Sequence, residues 1–346
     1  MNALAGETVY FVVPAAIDDP ALVSGGNVYD QRVREGLRRG GWDVQMIQVP
    51  DGGGSLAVRT MAQLPDGALI LIDGLIAVRE SAALASHSSR LRIVVLAHMV
   101  TDLPSEREAM DAAKRIIATS GWTRSELISR DFAEPHNVVV AYPGTDPAAI
   151  TVPSHAGTRL LCVGVVAPHK GQDLLVRALA RLTDIDGWTC EFVGSLDTAP
   201  DFVEELRQSI HRTHLTTRTK FTGTLAGASW EDAYGRADLV VAPSRSESFS
   251  MVIAEALARG VPVLATRVGG IPEAISSSAA GILVPPDDPF ALEVVLRQWW
   301  TSPQRRTELK AAAVEAPATV RPWRAALAVI SSTLHEVALS ETAVSA

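Results

Sequence analysis

Two carboxylates eight positions apart flank the start of a predicted helix: Glu247 lies in a serine-rich loop, and Glu255 lies in the apolar segment that follows it. The periodicity predicts a helix over 251–259 with almost no polar face, so this helix should be packed on most sides. A carboxylate in such a helix must accept hydrogen bonds from the protein or from a ligand, because an unpaired buried charge is costly. Ser250 is a favourable N-cap residue for the helix.

The predicted helix start also offers a place for an anion. The first backbone N–H groups of a helix have no partner within it, and the helix dipole adds positive potential there. A carboxylate in contact with a phosphate would repel it, so we expect Glu247 and Glu255 to bind neutral hydroxyl groups beside the anion. A hydroxyl-rich sugar, a diphosphate and a ribose diol together describe a nucleotide-sugar.

The elements around these residues alternate between predicted strands and helices. The apolar run 237–242 predicts a buried strand, Gly260 should end the helix after it, and 263–266 predicts the next strand. Further strands are predicted at 9–13, 44–47, 68–72, 93–96, 116–118, 138–140, 159–164, 190–195 and 220–225. This alternation predicts an α/β protein with parallel, doubly wound sheets that bind ligands at the carboxyl ends of their strands.

One linked series of residues resembles a known family. Glu247-x7-Glu255, with Gly-Val-Pro-Val at 260–263 and Gly-Gly-Ile-Pro-Glu at 269–273, resembles the signature of retaining glycosyltransferases of family 4. The resemblance implies the GT-B fold, in which two Rossmann-like domains face each other across a cleft. It also implies that Glu247 contacts the donor sugar and Glu255 the ribose. The alternative interpretation is an α/β unit in which the glutamate only forms a salt bridge.

The resemblance extends to the helix start and to the domain boundaries. It places Phe249, Ser250 and Met251 in the donor site. We predict an acceptor-side domain over 1–152, which the C-terminal helix at about 321–340 crosses back to join, and a donor-binding domain over 158–318. Residues 142–147 resemble the family's Pro-Asn-Gly-Val-Asp segment at the end of the first domain, although the asparagine is absent.

The first predicted domain carries further candidates for the donor site. Gly25 and Gly26 lie in a loop before a helix predicted at 28–39, and the resemblance places this pair near the donor diphosphate. A plain turn is the alternative for a glycine pair. His98 follows a strand, and the resemblance implies that it reaches the donor sugar, whereas a histidine at a loop start is ordinarily a hydrogen-bonded structural residue. Asp73 is a weaker candidate for the same cleft.

Lys170 lies in a predicted strand-to-helix turn of the second domain. Its ammonium group suits a diphosphate, and a solvated surface lysine is the alternative. The family pattern is Gly-Arg followed by Lys-Gly, but Val165 stands where the arginine is expected. The charge of the leaving group would then be met by Lys170, by backbone amides and by the candidates Arg245 and Arg267.

The composition excludes several classes of protein. A chain of 346 residues, 47% of them hydrophobic, fits two domains with separate cores, and its net charge of −8 disfavours nucleic acid as a partner. No basic residue precedes Arg32 and no apolar run is long enough to span a bilayer, so we expect a cytoplasmic protein without a transmembrane segment. Cys162 and Cys190 lie in predicted interior strands, which disfavours a disulfide.

Signals for cofactors and metals are weak. No G-x-G-x-x-G occurs, which disfavours a nicotinamide or flavin, and we expect no cofactor. Asp184-Ile185-Asp186 has the D-x-D spacing of metal-dependent glycosyltransferases but lies in a predicted turn away from a donor cleft. His211 and His214 lack a further ligand at zinc spacing. We therefore expect no metal in the site.

These features predict a metal-independent, retaining glycosyltransferase. It would move a hexose-type sugar from a nucleoside diphosphate sugar, UDP-linked rather than GDP-linked, to a hydroxyl or amine of an acceptor that we expect to be a small soluble molecule. The resemblance implies that the departing diphosphate takes the proton of the acceptor, with His98, Lys170 and Glu247 as the catalytic residues. Two alternatives stay open: a nucleotide-sugar epimerase on the same fold, and a nucleotide-sugar-binding protein that has lost turnover.

Overall fold

The computed structural model describes residues 6–20, 22–50, 52, 54–101, 103–151, 154–275 and 279–340. The chain divides into two compact units. Of the described residues, those within Met1–Asp19, Gly25–Gly144 and Arg321–Ala346 form the first unit, and those within Pro20–Ser24 and Thr145–Val320 form the second. The division at Gly144 lies eight residues before the predicted domain end at 152.

The strands and helices alternate along both units. The strands are β1 Thr8–Pro14, β2 Asp43–Val49, β3 Leu69–Asp73, β4 Arg92–Ala97, β5 Arg115–Ala118, β6 Val138–Val140, β7 Arg159–Val163, β8 Thr189–Val193, β9 Thr219–Gly223, β10 Leu239–Ala242, β11 Val263–Thr266 and β12 Gly281–Val284. The helices are α1 Gly25–Arg39, α2 Gly54–Gln63, α3 Gly74–Arg79, α4 Ser81–His87, α5 Ser105–Asp111, α6 Gly121–Ser129, α7 Gln172–Leu179, α8 Pro200–Arg212, α9 Ala228–Arg236, α10 Met251–Ala258, α11 Ile271–Ile275, α12 Pro289–Thr301, α13 Pro303–Glu315 and α14 Trp323–Leu339. Short 3₁₀ helices lie at Ala15–Asp18, Pro135–Asn137, Pro168–Lys170 and Ala316–Thr319.

Each unit contains one parallel sheet of six strands. The strand order is β2-β1-β3-β4-β5-β6 in the first unit and β12-β11-β10-β7-β8-β9 in the second. All neighbouring strands run parallel. The direction of winding reverses between β1 and β3 in the first sheet and between β10 and β7 in the second. In doubly wound sheets, ligands bind at the carboxyl ends of the strands at such a switch point.

Alternating side chains of the first sheet pack into two separate cores. On β3, Ile70 and Ile72 belong to one hydrophobic cluster, and Leu69 and Leu71 belong to the other. Because successive strand residues point to opposite faces, both faces of the sheet are covered. This burial explains why the strands appear in the sequence as continuous apolar runs.

Helix α14 supplies part of the cover on one face of the first sheet. Its residues Ile330 and Leu334 are buried in the cluster that contains Leu69 and Leu71. Trp42 also fixes the helix, since its Nε1–H donates to the Ser331 hydroxyl at 3.0 Å. The C-terminal helix is therefore an integral part of the first unit.

The second sheet is built around a core of large side chains. Trp188, Phe192 and Trp299 are almost completely buried there, and the indole of Trp299 donates to the Gly157 carbonyl at 2.7 Å. Cys162 and Cys190 lie in the same core as free thiols.

The predicted α/β fold with two doubly wound units is confirmed, and the observed strands match the predicted positions within a few residues. Helix α1 differs from its prediction. It begins at Gly25 rather than at residue 28, so Gly25 and Gly26 occupy its first turn instead of a loop. Within the described residues, none of the helices has the length and apolar character needed to cross a membrane.

Gly144 closes the first unit against helix α14. A Cβ atom at this position would lie 2.2 Å from the backbone nitrogen of Trp323. Such a contact cannot be relieved by a side-chain rotation, because the opposing atom is backbone. The close approach gives the Gly144 of segment 142–147 a structural role.

We expect Gly144→Ala to destabilise the protein by about 1 to 3 kcal/mol, because overpacking forces the backbone to shift. Urea denaturation followed by circular dichroism measures the effect. Gly235→Ala is the matched control, since a Cβ atom there meets nothing within 4 Å and alanine favours the helix. Equal stability of the two variants would show that the contact with Trp323 does not constrain the fold.

Candidate functional site

Lys170 and Glu247 meet at the switch point of the second sheet. Lys170 follows β7 and Glu247 follows β10, which are neighbouring strands, and the lysine Nζ lies 2.6 Å from the glutamate Oε1. The hydroxyl of Ser244 donates to the same oxygen at 3.1 Å. Both charged side chains are largely buried, with 23% and 12% exposure. The structure thus brings together two of the predicted catalytic residues, 77 positions apart.

The backbone that carries Glu247 rests on a glycine pair after β11. The N–H of Gly270 donates to the Glu247 carbonyl at 3.1 Å. A Cβ atom at Gly269 would lie 1.7 Å from that carbonyl oxygen, and one at Gly270 would lie 2.1 Å from the Ser248 carbonyl oxygen. Only glycine therefore fits beneath this loop, which explains the Gly-Gly pair in the motif.

Helix α10 begins immediately after this loop, at Met251, with Phe249 buried beside it. Ser250 occupies the N-cap position, as predicted, but its backbone is left-handed with φ of 76°, and its side chain makes no capping hydrogen bond. The expectation that the Ser250 hydroxyl caps the helix is therefore wrong. A strained residue at an uncapped helix start leaves first-turn N–H groups for an anion.

Glu255 lies half-buried on α10 and accepts a hydrogen bond from the Tyr234 hydroxyl at 3.1 Å through Oε2. Its other oxygen, Oε1, accepts no hydrogen bond from the residues that the structure describes. Burial raises the pKa of Glu255 to about 7, although Arg259 and the tyrosine act in the opposite direction. The sequence predicted that a carboxylate at this position must accept a hydrogen bond, and the Tyr234 hydroxyl donates one.

Val165 stands where the family pattern has an arginine, so its neighbours show which cations could replace that arginine. Val165 is half-buried, and its carbonyl accepts a hydrogen bond from the Gln172 side chain. Arg245, one candidate replacement, is held by Asp173 through two bonds of 2.7 Å and by Asp287 at 2.7 Å. These pairs already neutralise Arg245, so a diphosphate would have to compete with Asp173 and Asp287 for its guanidinium group. Arg267 is exposed.

The first unit assembles a separate polar cluster at its own switch point. The Nε2 atom of His98, just beyond β4, lies 2.8 Å from Asp30 Oδ1 and 3.5 Å from Asp73 Oδ2. Asp30 projects from α1 and is completely buried, and Asp73 ends β3. The ring of Tyr29 packs edge-on against the imidazole at 5.3 Å. Sequence reasoning singled out His98 and Asp73 but missed Asp30.

A sequence signal for Asp30 exists in the pattern of α1. Asp30, Val33 and Leu37 recur at the spacing of one helix face, and all three are buried. An aspartate on the apolar face of an amphipathic helix is unusual, because an ionised carboxylate is rarely buried without a partner. This pattern identifies Asp30 as a residue with a specific partner.

The charges in this cluster depend on one another. Burial acts to lower the pKa of His98, but the Asp30 and Asp73 carboxylates outweigh it and raise the pKa to about 9. Burial raises the pKa of Asp30 to about 6, and the imidazolium of His98 only partly offsets this effect. Near neutral pH the cluster therefore contains an imidazolium between two carboxylates.

The same three residues offer ligand-type atoms within 4.8 Å of one another, which is a spacing that a metal ion requires. The 2.8 Å separation of His98 and Asp30 is that of a strong hydrogen bond, and Asp73 Oδ1 already caps α3 by accepting from two backbone N–H groups. Hydrogen bonding accounts for this arrangement without an ion. In the predicted D-x-D, Asp184 pairs with Arg297 and Asp186 with Arg218.

The second unit also contains a cavity of about 410 Å³ at the carboxyl ends of β8 and β9. The lining residues are Pro20, Ser195, Leu196, Asp197, Gly223 and Thr224. Doubly wound sheets bind ligands at this edge, and β8 and β9 lie next to the switch point strand β7 on the side away from β10.

Comparison with known proteins agrees with this geometry. The model of the family described as "Glycosyl transferases group 1" matches residues 152–316, which include Lys170, Glu247 and Glu255. This segment of the chain is similar to group 1 glycosyltransferases. The predicted resemblance to group 1 glycosyltransferases is confirmed over these residues.

Two relatives of this chain are both named D-inositol 3-phosphate glycosyltransferase. The D-inositol 3-phosphate glycosyltransferase of Kineococcus radiotolerans is 34% identical over 237 residues, which cover 60% of this chain and 54% of that protein. The enzyme of the same name from Thermobifida fusca is 31% identical over 251 residues, covering 65% and 57%. The matches thus span about half the length of these curated relatives.

Solved structures match the chain over nearly its whole length. Anabaena HepE in complex with UDP and glucose has a TM-score of 0.75 at 21% identity, covering 94% of this chain and 99% of that one. Sucrose-phosphate synthase of Thermosynechococcus elongatus has a TM-score of 0.80 at 19% identity, covering 96% and 99%. The chain has the GT-B fold of these glycosyltransferases.

The raised pKa of Glu255 predicts a pH-dependent loss of stability. Between the ordinary value of 4.5 and about 7, the folded protein holds a proton that the unfolded chain has released, so stability falls as pH rises. We expect Glu255→Gln to raise the free energy of unfolding by roughly 1 to 3 kcal/mol at pH 8, and the gain to vanish near pH 4.5.

Urea denaturation at the two pH values measures this difference. The matched control is Glu308→Gln, because Glu308 is exposed and its carboxylate accepts a hydrogen bond from the Gln304 side chain. A Glu255→Gln variant that is less stable than wild type at pH 8 would contradict the prediction and make Glu255 a stabilising group.

Proposed function

We propose that this protein is a retaining glycosyltransferase that transfers a hexose-type sugar from a nucleoside diphosphate sugar without a metal ion. The observation that carries the proposal is the Lys170–Glu247 pair beside the uncapped start of α10, at the switch point of the second sheet. UDP is the favoured nucleotide, since the structure of HepE that resembles this chain holds UDP and glucose. The acceptor would be a hydroxyl or amine of a small soluble molecule.

The donor diphosphate would bind between Lys170 and the first turn of α10. Lys170 is neutralised by Glu247, whose Oε1 atom lies 2.6 Å from the lysine Nζ. An incoming diphosphate competes for the ammonium group and releases the carboxylate to accept a hydroxyl of the sugar. The ion pair thereby stabilises both charges before a donor binds. A donor replaces it by offering a diphosphate to Lys170 and a sugar hydroxyl to Glu247.

The remainder of the donor has matching partners in the second unit. Glu255 Oε1, which accepts no hydrogen bond from the described residues, would bind the ribose diol, and Tyr234 would hold the other carboxylate oxygen. Phe249, Ser250 and Met251 would line the path between sugar and diphosphate. The cavity at the ends of β8 and β9 would take the base.

The chemistry would proceed on one face of the sugar. The bond between the anomeric carbon and the diphosphate oxygen breaks, a bond to the acceptor oxygen or nitrogen forms on the same face, and the acceptor proton moves to the departing diphosphate. Lys170 and the helix start stabilise the charge that develops on the leaving group. Glu247 orients the sugar, so the protein contributes position and electrostatics rather than a covalent intermediate.

Three assignments from the sequence stay predictions. His98 would contact the donor sugar, and Gly25 and Gly26 would lie near the diphosphate, now from the first turn of α1. The first unit would bind the acceptor. The buried free thiols of Cys162 and Cys190 accord with a reaction in the reducing cytoplasm.

A panel of UDP-, GDP- and ADP-sugars tests the function in the presence of EDTA. We expect UDP-hexoses to raise the melting temperature, and transfer of the sugar to acceptors to survive chelation. Glu255→Gln should bind donor less tightly, because a neutral amide replaces a charge-assisted acceptor. Activity that EDTA abolishes and manganese restores would overturn metal independence, an epimerised donor without acceptor would indicate an isomerase, and stabilisation without turnover would indicate a binding protein.

Restoring the arginine at Val165 tests the diphosphate site separately. We expect Val165→Arg to bind UDP at least about tenfold more tightly, because a charge-assisted hydrogen bond contributes roughly 1.5 to 3 kcal/mol. Turnover need not rise, since the contact holds the intact donor as well as the leaving group. Calorimetric titration with UDP measures the affinity, with Val165→Leu as the neutral control. If Val165→Arg leaves the affinity unchanged, another cation already acts there, and Arg267→Ala becomes the decisive variant.

A further inference from the structure

The polar cluster of the first unit has features that packing alone does not require. Asp30 is completely buried, its Oδ1 atom meets His98 Nε2 at 2.8 Å, and its Oδ2 atom has no hydrogen-bond partner among the described residues. Asp73 adds a second carboxylate 3.5 Å from the same nitrogen. Two buried carboxylates are thus directed at one atom of one imidazole, at the switch point between β1 and β3.

This geometry fixes which nitrogen of His98 carries a proton. An ionised carboxylate can only accept hydrogen bonds, so Nε2 must be the donor to Asp30. The Nδ1 atom has no partner among the described residues, and the His98 side chain keeps 11% exposure. The imidazole therefore offers Nδ1 to the surface while its other nitrogen is anchored from behind.

The two carboxylates also favour the doubly protonated ring, in which Nδ1 is a donor as well. Although burial of the ring acts to lower the pKa of His98, the carboxylates of Asp30 and Asp73 raise it to about 9. The remaining titratable group that packs on the ring is Tyr29, whose pKa is raised by burial and by Asp30, so the tyrosine stays neutral. An imidazolium held by two carboxylates is the state expected at neutral pH.

The balance of charge indicates the class of ligand. One imidazolium beside two carboxylates carries no net positive charge, so the cluster does not attract a phosphate as a free cation would. A neutral hydroxyl gains a charge-assisted hydrogen bond from Nδ1–H without being repelled by Asp30 and Asp73. The cluster is therefore suited to a sugar hydroxyl.

We propose that Asp30, together with Asp73, is a positioning residue that holds His98 as an imidazolium whose Nδ1–H donates to a neutral sugar hydroxyl. This proposal rests on the proposed function for the identity of the ligand, but the state of the imidazole is a property of the ligand-free protein. The two parts can therefore fail separately.

Nuclear magnetic resonance of the ¹⁵N-labelled full-length chain tests the state of His98. The imidazole signals are followed from pH 5 to 10 and assigned with His98→Gln. We expect the wild-type pKa near 9 and a fall of about 1 to 3 units in Asp30→Asn, because an opposite charge at this distance is removed while burial persists. Asp66→Asn is the matched control, since Asp66 is exposed on the surface of the same unit.

The kinetic test uses the pH dependence of kcat/KM with the donor that the panel identifies. Activity requires the imidazolium, so it falls as pH rises through the His98 pKa. In Asp30→Asn this alkaline limb should move to lower pH by the same amount as the pKa, with a loss at pH 8 of about twofold for a fall of one unit and about ninetyfold for a fall of three. A merely structural role would lower activity equally at every pH.

Definite results would overturn the proposal. A His98 pKa near 6.5 in the wild type, or one that Asp30→Asn leaves unchanged, would exclude the imidazolium. A shifted pKa with an unshifted kinetic profile would exclude contact with the sugar while leaving the donor site of the second unit intact. If Asp30→Asn does not fold, Asp73→Asn replaces it, because asparagine keeps the oxygen that caps α3 and loses only the charge.

Discussion

The ion pair between Lys170 and Glu247 is the interaction on which the second unit depends. Its partners are 77 positions apart and meet only because β7 and β10 are neighbours at the point where the direction of winding reverses. Two charges at 23% and 12% exposure are stable there because each neutralises the other. If Glu247 left Lys170 and no ligand anion replaced it, the ammonium group would stay partly buried without a counter-charge. A ligand of this site must therefore supply a negative charge to Lys170.

The constraint spreads from this pair into the neighbouring backbone. Glu247 reaches Lys170 because its loop lies directly on Gly269 and Gly270, where no side chain fits. The same loop brings Ser250 into a left-handed conformation and starts α10 without a side-chain cap. A local cost in backbone strain thus accompanies a helix start that is open to an anion, as is common where a site is organised before its ligand binds.

The sequence predicted the strands well and the details of the site less well, for physical reasons. Both faces of each sheet are covered, so the strands are apolar without interruption and are easily recognised. Lys170, Glu247 and Glu255 could be singled out because they occupy fixed positions in a sequence motif. The start of α1 at Gly25 and the conformation of Ser250 depend on tertiary contacts, which outweigh local propensity. Asp30 was missed because one polar residue on an apolar helix face has little effect on the periodicity.

The two switch points differ in charge, and this difference separates the ligands that each can recognise. In the second unit, Lys170 and the N-terminus of α10 supply positive potential against the carboxylate of Glu247, which the proposed function has a diphosphate displace. In the first unit, Asp30 and Asp73 outnumber the one cation, His98, and a phosphate would be opposed by both. Under the proposed function, these few side chains would determine where phosphate groups and where hydroxyl groups bind. The same doubly wound scaffold can therefore serve two recognition tasks, and what distinguishes them is the ratio of cations to carboxylates at the ends of the central strands.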